Sequence, residues 1–372
     1  MSDNFYQRLN DRLSQLREHG QYRQLSNVPT KGIDLLSNDY LGLSRCQHIY
    51  KHFLSSVKED VPSSCASRLL GGSSQASADL EQCLAQIYQR SALYLNSGYL
   101  ANIGILPAIT DRNDLIIADK DIHASLIDGL KLCRADFIRF PHQDYDALER
   151  LIIEHRSNYR DIWVVTESIF SMDGSVSDLK KLVQLKQRYQ IILYVDEAHS
   201  IGQYQEGLGW SYTHHLVNDI DIIVMPCAKA IASYGAIVLC HDITRNYLIN
   251  TCRSLIFASA LPPLTIKWTQ YVFEHRHEFE PLRLTLQDRI HQANKLLNMN
   301  QSSPIFPIVI GDSHQTLAIA QALKEAGIIV GAIRHPTVPK GKAQLRLCIN
   351  ALLSEADLIY IAETIHSLKE RI

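Results

Sequence analysis

The chain has 372 residues, which exceeds the size at which one hydrophobic core usually stops growing, so two domains are expected. Hydrophobic residues make up 46% and charged residues 20% of the chain, which is ordinary for a globular enzyme. The formal net charge of −2 argues against a general polyanion-binding role, so no nucleic-acid partner is expected. The sequence has no run of 18 or more apolar residues and no apolar N-terminal stretch of signal-peptide type. These features predict a cytoplasmic protein without a membrane partner.

The eight cysteines are scattered along the chain and form no C-x-x-C pair. A zinc site or a disulfide framework is therefore not expected, and no metal is predicted. Such a pattern is typical of small buried side chains in a reducing cytosol.

The hydrophobic pattern divides the chain into residues 1–40, 41–263 and 264–372. The first region reads as a polar helix from Phe5 to about His19, followed by a connector. In the second region helices alternate with compact apolar runs, which are typical of strands buried on both faces of a parallel sheet. This alternation predicts a large doubly wound α/β domain. The predicted strands are Ala92–Leu95, Leu115–Ala118, Ile162–Thr166, Ile191–Val195 and Ile222–Val224.

Helices are predicted over Ala76–Tyr88 and Asp178–Tyr189, the second with Ser177 as its N-cap. After Pro263, a long helical stretch from about Leu264 to Asn298 leads into a smaller α+β pattern. Ligands of α/β sheets bind beyond the carboxyl ends of the strands, so chemistry is expected in the residues that follow each strand.

Two such residues are an acid and a lysine. The strand Ile191–Val195 is followed by Asp196, and Ile222–Val224 leads to Lys229 among small apolar residues. Taken singly, the acid can cap a turn and the lysine can lie at the surface. Desolvation lowers the pKa of a lysine, and a neutral amine can form a Schiff base with an aldehyde. Together the pair suits pyridoxal phosphate, which needs an amine for its aldehyde and a carboxylate for its ring nitrogen.

Two further segments follow strands. Residues 96–99 open a helix, whose first N–H groups would suit a phosphate, although a plain turn is an equal alternative. His123 could stack on a flat ring, although a lone histidine is more often structural.

An ordered set of motifs then identifies a resemblance. They are S-N-D-Y-L-G-L-S (37–44), N-S-G-Y-L-A-N (96–102), D-I-H-A-S-L (121–126), T-E-S-I-F-S-M-D-G (166–174), V-D-E-A-H (195–199), Lys229 and P-T-V-P-K-G (336–341). From about Ser37 to its C-terminus the chain resembles the α-oxoamine synthases, a branch of the fold-type-I pyridoxal-phosphate enzymes. Residues 336–341 favour the members that act in biotin synthesis. The implied fold is a large doubly wound domain with a mainly parallel sheet plus a smaller C-terminal α+β domain.

The resemblance implies roles around the ring of pyridoxal 5'-phosphate. Lys229 would bind the cofactor aldehyde and serve as a base, and Asp196 would pair with the pyridine nitrogen. His199 would reach the ring hydroxyl, His123 would stack on the ring, and Ser171 would lie beside the cofactor.

It also implies contacts with the phosphate and the substrate. The turn Ser97-Gly98-Tyr99 would hold the phosphate through its backbone. Ser259 would reach the phosphate in the neighbouring subunit of a homodimer. Arg346 would bind the amino acid's carboxylate, which suits a planar guanidinium, with Arg23 as a possible helper.

The implied reaction is a decarboxylative condensation of L-alanine with a pimeloyl thioester of coenzyme A or acyl carrier protein. Two alternatives stay open. One is a sister enzyme that uses glycine or another amino acid with a different acyl thioester. The other is a catalytically inactive homologue that serves as a scaffold or regulatory subunit.

The chain departs from the family pattern near the expected phosphate site. Pro226 stands where the family usually has a threonine, and alanines at 228, 230 and 232 replace glycines. Residues 63–68 replace a glycine-rich stretch, and residues 350–353 lack a usual histidine. These changes predict looser phosphate anchoring, because proline offers neither hydroxyl nor N–H and glycine positions often need positive φ. They also motivate the alternative of a catalytically inactive homologue. The retention of the predicted site residues argues against that alternative.

Overall fold

The computed structural model describes residues 2–25, 31–57 and 61–369. They form two compact units. The small unit contains the described parts of Met1–Tyr40 and Thr285–Ile372, together with Met172–Gly174. The large unit contains Leu41–Ser171 and Ser175–Leu284, again within the described ranges.

The elements follow the predicted alternation. The helices are α1 (Ser2–Glu18), α2 (Gln47–Ser56), α3 (Gln75–Tyr88), α4 (Gly98–Ile109), α5 (Ala124–Leu132), α6 (Tyr145–His155), α7 (Leu179–Tyr189), α8 (Trp210–Thr213), α9 (Asp242–Thr251), α10 (Arg253–Ile256), α11 (Pro263–Glu274), α12 (Glu280–Leu297), α13 (Ser313–Glu325) and α14 (Glu355–Lys369). The strands are β1 (Ile33–Asp34), β2 (Ser91–Leu95), β3 (Asp114–Asp119), β4 (Asp136–Phe140), β5 (Asp161–Glu167), β6 (Ile192–Asp196), β7 (Ile222–Pro226), β8 (Ala236–Cys240), β9 (Ile305–Gly311), β10 (Ile328–Ile329), β11 (Gly331–Ile333) and β12 (Ala343–Cys348).

The large unit is built on a seven-stranded sheet in the order β2-β8-β7-β6-β5-β3-β4. Strands β3 to β7 pair in parallel, and β8 runs antiparallel to both β2 and β7. Every residue of β3, β7 and β8 is buried, so both faces of the sheet are covered. The prediction of a doubly wound α/β domain with a mainly parallel sheet is confirmed.

Helices α4, α5, α9 and α10 share one apolar core with the sheet. Gly129 of α5 lets α4 approach closely, because a Cβ there would lie 2.7 Å from the carbonyl oxygen of Asn102. This approach brings Asn102, in the second turn of α4, next to the start of α5.

Two predicted helices differ in detail. Asp178, not Ser177, caps α7, since its carboxylate accepts the N–H of Lys181 at 3.0 Å. The hydroxyl of Ser177 instead donates to the carbonyl of Glu167 at 2.6 Å. The stretch predicted as one long helix divides into α11, a short 3-10 helix and α12. Pro281 lies in the first turn of α12, where a proline is tolerated. In the interior of one continuous helix it would remove a backbone hydrogen bond and clash with the preceding turn.

The small unit contains the antiparallel sheet β11-β12-β9 and the parallel pair β1-β10. Residues 33–40 belong to it, since the carbonyl of Tyr40 accepts the N–H of Ala351 at 2.9 Å. The compact units divide between Leu284 and Thr285 rather than after residue 263, because α11 packs against α3 of the large unit. Across the described residues, no helix combines the length and apolarity needed to span a bilayer.

Three side chains form hydrogen bonds with backbone groups on the outer edge of β2, the strand that leads to residues 96–99. The carboxylate of Glu81 accepts hydrogen bonds from the backbone N–H of Tyr94 at 2.9 Å and from the guanidinium groups of Arg68 at 2.6 Å and Arg245 at 2.8 Å. Arg68 also donates to the carbonyl of Tyr94, and Arg245 to that of Ala92. A largely buried ion-pair network therefore anchors this strand.

Replacing Glu81 with alanine is expected to lower the free energy of unfolding by about 3 kcal/mol, because two guanidinium groups and a backbone N–H would lose their buried acceptor. The urea midpoint measures this loss. Asp161→Ala is the control, since Asp161 and its partner Arg160 are 42% and 51% exposed, and exposed pairs contribute little. Equal shifts in the two variants would contradict the role of the network.

Candidate active site

The carboxyl ends of β5, β6 and β7 meet at one edge of the large unit's sheet. Glu167 ends β5 and lies in register beside Asp196, which ends β6. Lys229 follows β7, and His123 stands between β3 and α5. The charges of Lys229 and Asp196 act on the pKa of both His123 and Glu167, so Lys229 and Asp196 lie within electrostatic range of these two groups.

The carboxylate of Asp196 is held through both oxygens. Oδ2 accepts a hydrogen bond from Nδ2 of Asn102 at 2.7 Å, and Oδ1 accepts the N–H of Ala198 at 2.8 Å. The hydroxyl of Tyr194 donates to Oδ1 of Asn102 at 2.7 Å, which fixes the amide in turn. Asp196 is only 3% exposed, so its orientation is set by protein donors.

His123 caps α5 with its own ring. Nδ1 accepts the backbone N–H of Ser125 at 3.2 Å and lies 2.8 Å from the Ser125 hydroxyl oxygen. Desolvation lowers the pKa of His123; the charge of Asp196 opposes this shift and that of Lys229 adds to it. A lowered pKa favours the neutral imidazole.

Glu167 is a buried acid that the sequence analysis did not single out. Its carboxylate accepts the backbone N–H of His123, and the side chain is 2% exposed. Burial raises the pKa of Glu167 well above its usual value, and the negative charge of Asp196 raises it further. Lys229 and the His123 N–H act in the opposite direction. Its position at the end of a buried strand was the available signal.

The turn predicted to hold a phosphate opens α4. Ser97 is the N-cap, and its hydroxyl accepts the N–H of Leu100 at 3.2 Å. A Cβ on Gly98 would lie 2.3 Å from Cγ of Pro226, so only glycine fits against this proline ring. Tyr99 is exposed and donates its hydroxyl to Asp128. The first N–H groups of α4 suit an anion, and Pro226 packs directly beside them.

Three more predicted residues belong to the large unit. His199 and Ser171 are buried. Ser259 is exposed, and its carbonyl accepts a bond from the side chain of Asn96. Ser259 thus lies beside the phosphate turn of its own chain, and its role toward a neighbouring subunit stays a prediction.

The two predicted substrate-binding arginines belong to the small unit. Arg346 is buried on β12 and donates to Oδ1 of Asn38 at 3.0 Å and to Sγ of Cys348 at 2.9 Å. Arg23 is exposed and donates to the hydroxyl of Thr337 at 3.1 Å. Their carboxylate-binding roles stay predictions.

Two positions in the segments that lack the family's glycines keep a backbone conformation that glycine favours. Ala232 and Cys65 both have φ of 50°, in the left-handed region. Each side chain therefore adds roughly 1–2 kcal/mol of strain that glycine would avoid. The small side chains at these positions thus occupy a backbone conformation that glycine favours.

The residues of the large unit fit pyridoxal phosphate. They provide an amine at Lys229, an oriented carboxylate at Asp196 and a helix N-terminus at Gly98 that a side chain would obstruct. Within the described ranges, no group of three or more His, Cys, Asp or Glu residues is arranged to hold a metal ion.

Comparisons with known proteins agree with this chemistry. The family model for aminotransferase class I and II matches residues 30–365. The 8-amino-7-oxononanoate synthase of Haemophilus ducreyi is 42% identical over 375 residues, which cover 94% of this chain and 97% of that protein. The solved 8-amino-7-oxononanoate synthase of Francisella tularensis has a TM-score of 0.74 at 27% identity and covers 92% of this chain and 99% of that one. A structure of SPT with PLP has a similar fold, with a TM-score of 0.90 at 22% identity and coverages of 99% and 98%.

The raised pKa of Glu167 predicts a pH-dependent stability. The folded protein keeps a proton on Glu167 at pH values where the unfolded chain has lost it, so the contribution of Glu167 to the free energy of unfolding falls as pH rises above about 4.5. Glu167→Gln cannot titrate but keeps an oxygen for the His123 N–H. The urea midpoint of the variant minus that of the wild type should therefore increase with pH across this window.

The exposed Glu325→Gln serves as the control, and its difference from the wild type should stay flat. A flat difference for Glu167→Gln as well would show that Glu167 is ionised in the folded protein.

Proposed function

The chain belongs to the aminotransferase class I and II family and, within it, to the α-oxoamine synthases, and we propose from this that it condenses L-alanine with a pimeloyl thioester. The products are 8-amino-7-oxononanoate, CO₂ and the free thiol of the carrier. This is a carbon–carbon bond-forming step of biotin biosynthesis.

The protein is a pyridoxal-phosphate-dependent acyltransferase of fold type I. The observation that carries the choice of substrates is the 42% identity with the Haemophilus ducreyi synthase over nearly the full length of both proteins. The cluster of Lys229, Asp196 and His123 supports the same conclusion, because a scaffold has no need of it.

We assign the cofactor-binding roles to residues of the large unit. Lys229 would supply the amine that binds the cofactor aldehyde, and Asp196 would hold a proton on the pyridine nitrogen. His123 would face the ring, and His199 would reach the ring hydroxyl. When bound, pyridoxal phosphate supplies an electron sink that stabilises negative charge on the carbon beside the substrate's amino group.

Lys229 also acts as the base in this proposal. With the cofactor and substrate bound, the amine of Lys229 would remove the proton from the α-carbon of L-alanine. Burial raises the pKa of Glu167, which disfavours a second negative charge next to Asp196. Arg346 orients the substrate carboxylate, with Arg23 as a helper.

The partners of the reaction are also proposals. The acyl donor is a thioester of coenzyme A or acyl carrier protein, and the active enzyme is a cytoplasmic homodimer in which Ser259 reaches the partner's cofactor phosphate.

Product formation with L-alanine and each pimeloyl carrier tests the function. Glycine, L-serine and a longer acyl chain serve as comparison substrates. Higher turnover with another pair would replace the proposed substrates by those of a sister enzyme.

Replacing Lys229 with alanine should reduce turnover about a thousandfold or more, because the variant lacks both the anchoring amine and the base. The visible absorbance band of the cofactor-loaded wild type should shift on addition of L-alanine and should be altered in the variant. Lys131→Ala is the control, since Lys131 is a surface residue paired with Asp128. Undiminished product formation by the Lys229 variant would refute the assignment.

Replacing Pro226 with threonine should tighten binding of pyridoxal phosphate by about tenfold, because a hydroxyl beside Gly98 adds one hydrogen bond to a charged group. The dissociation constant can be measured by fluorescence titration. Pro307→Thr, on β9 of the small unit, is the matched control. Equal affinity of the Pro226 variant and the wild type would show that Pro226 does not limit phosphate anchoring.

A further inference from the structure

The direction of one hydrogen bond fixes the protonation of His123. A backbone N–H can only donate, so the bond from Ser125 N–H to Nδ1 of His123 makes this ring nitrogen an acceptor. The proton of the neutral imidazole must then reside on Nε2. This conclusion follows from the placement of the His123 ring against a backbone donor.

The neighbouring side chains form a relay whose directions also follow from their chemistry. The carboxylate of Asp196 accepts, so the NH₂ group of Asn102 faces it at 2.7 Å, while Oδ1 of Asn102 takes the hydroxyl proton of Tyr194. The same NH₂ group donates to the hydroxyl oxygen of Ser125 at 2.9 Å. The hydroxyl proton of Ser125 is thereby directed to Nδ1 of His123, 2.8 Å away.

We propose that Asn102 and Ser125 are positioning residues that hold His123 as its Nε2–H tautomer and tie its orientation to the carboxylate of Asp196. Asn102 and Ser125 are each 1% exposed, whereas the His123 that they hold is itself exposed. Its meaning for catalysis rests on the proposed function, in which His123 faces the cofactor ring.

The charges around His123 are consistent with this role. The groups that act on it are Asp196 from β6, Lys229 after β7 and Asp128 from α5, and its backbone N–H is bonded to Glu167 of β5. Protonation of Nδ1 would oppose two donors from Ser125 and would place a cation near Lys229. A neutral ring would also avoid repulsion with a pyridine nitrogen that Asp196 would keep protonated when the cofactor is bound.

The tautomer can be measured directly by NMR of the full-length protein labelled with ¹⁵N-histidine. The chain has 16 histidines, so the signals of His123 are assigned by their loss in His123→Gln. Nδ1 is expected to show a pyridine-type shift and Nε2 a pyrrole-type shift at neutral pH. His241 is an internal reference, because its Nδ1 likewise accepts a backbone N–H, from Ile243 at 3.2 Å. A pyrrole-type Nδ1 in His123 would overturn the proposal.

The positioning role is tested by variants in the same measurement. Ser125→Ala removes one donor to Nδ1 and should raise the pKa of His123 by about one unit. Ser125→Thr should restore the wild-type value, and Asn102→Ala should shift it in the same direction as Ser125→Ala. Ser303→Ala, which removes a buried hydroxyl of the small unit, should leave it unchanged. An unchanged pKa in Ser125→Ala would overturn the role of Ser125, whatever the stability of the Asn102 variant.

Activity assays separate this inference from the proposed function. The NMR result needs no substrate, so a protein with the expected tautomer but no condensation of L-alanine with a pimeloyl thioester would refute only the proposed function. If condensation occurs, the acidic limb of the kcat/KM profile should move to higher pH by the same shift in Ser125→Ala. If the acidic limb of the Ser125→Ala profile stays at the wild-type pH, the relay does not influence the reaction.

Discussion

Burial of both faces of the parallel sheet is the constraint on which the rest of the large unit depends. Side chains of β3, β5, β6 and β7 that point to either face must be apolar, so polar groups emerge where the strands end. Parallel pairing brings those ends to one edge. The site is thus assembled by strand direction, and Glu167 and Asp196 become neighbours because their strands share a register.

The same constraint explains the electrostatics of the site. Two buried acids, Glu167 and Asp196, lie near Lys229 and His123. In the folded chain the pKa of Glu167 is raised and that of His123 is lowered. Asp196, by contrast, is supplied with N–H donors on both oxygens. The outcome is one oriented carboxylate between two groups that favour their neutral forms.

Strand positions and the residues after them could be predicted, because apolar runs and their ends are local signals. Asp196, Lys229 and His123 were found in this way. Asn102 and Glu167 were not singled out, since their importance lies in contacts with residues from other elements. The cap of α7 was assigned to Ser177 instead of Asp178 for the same reason: a tertiary bond to Glu167 engages the serine hydroxyl.

The network on β2 has a consequence for association between molecules. An edge strand normally presents bare N–H and C=O groups that another chain can use to extend the sheet. Here the outward groups of Tyr94 and the carbonyl of Ala92 are already bonded by Glu81, Arg68 and Arg245. A foreign strand would have to displace a largely buried ion-pair network before it could pair at these residues, so this margin of the sheet is protected against aggregation.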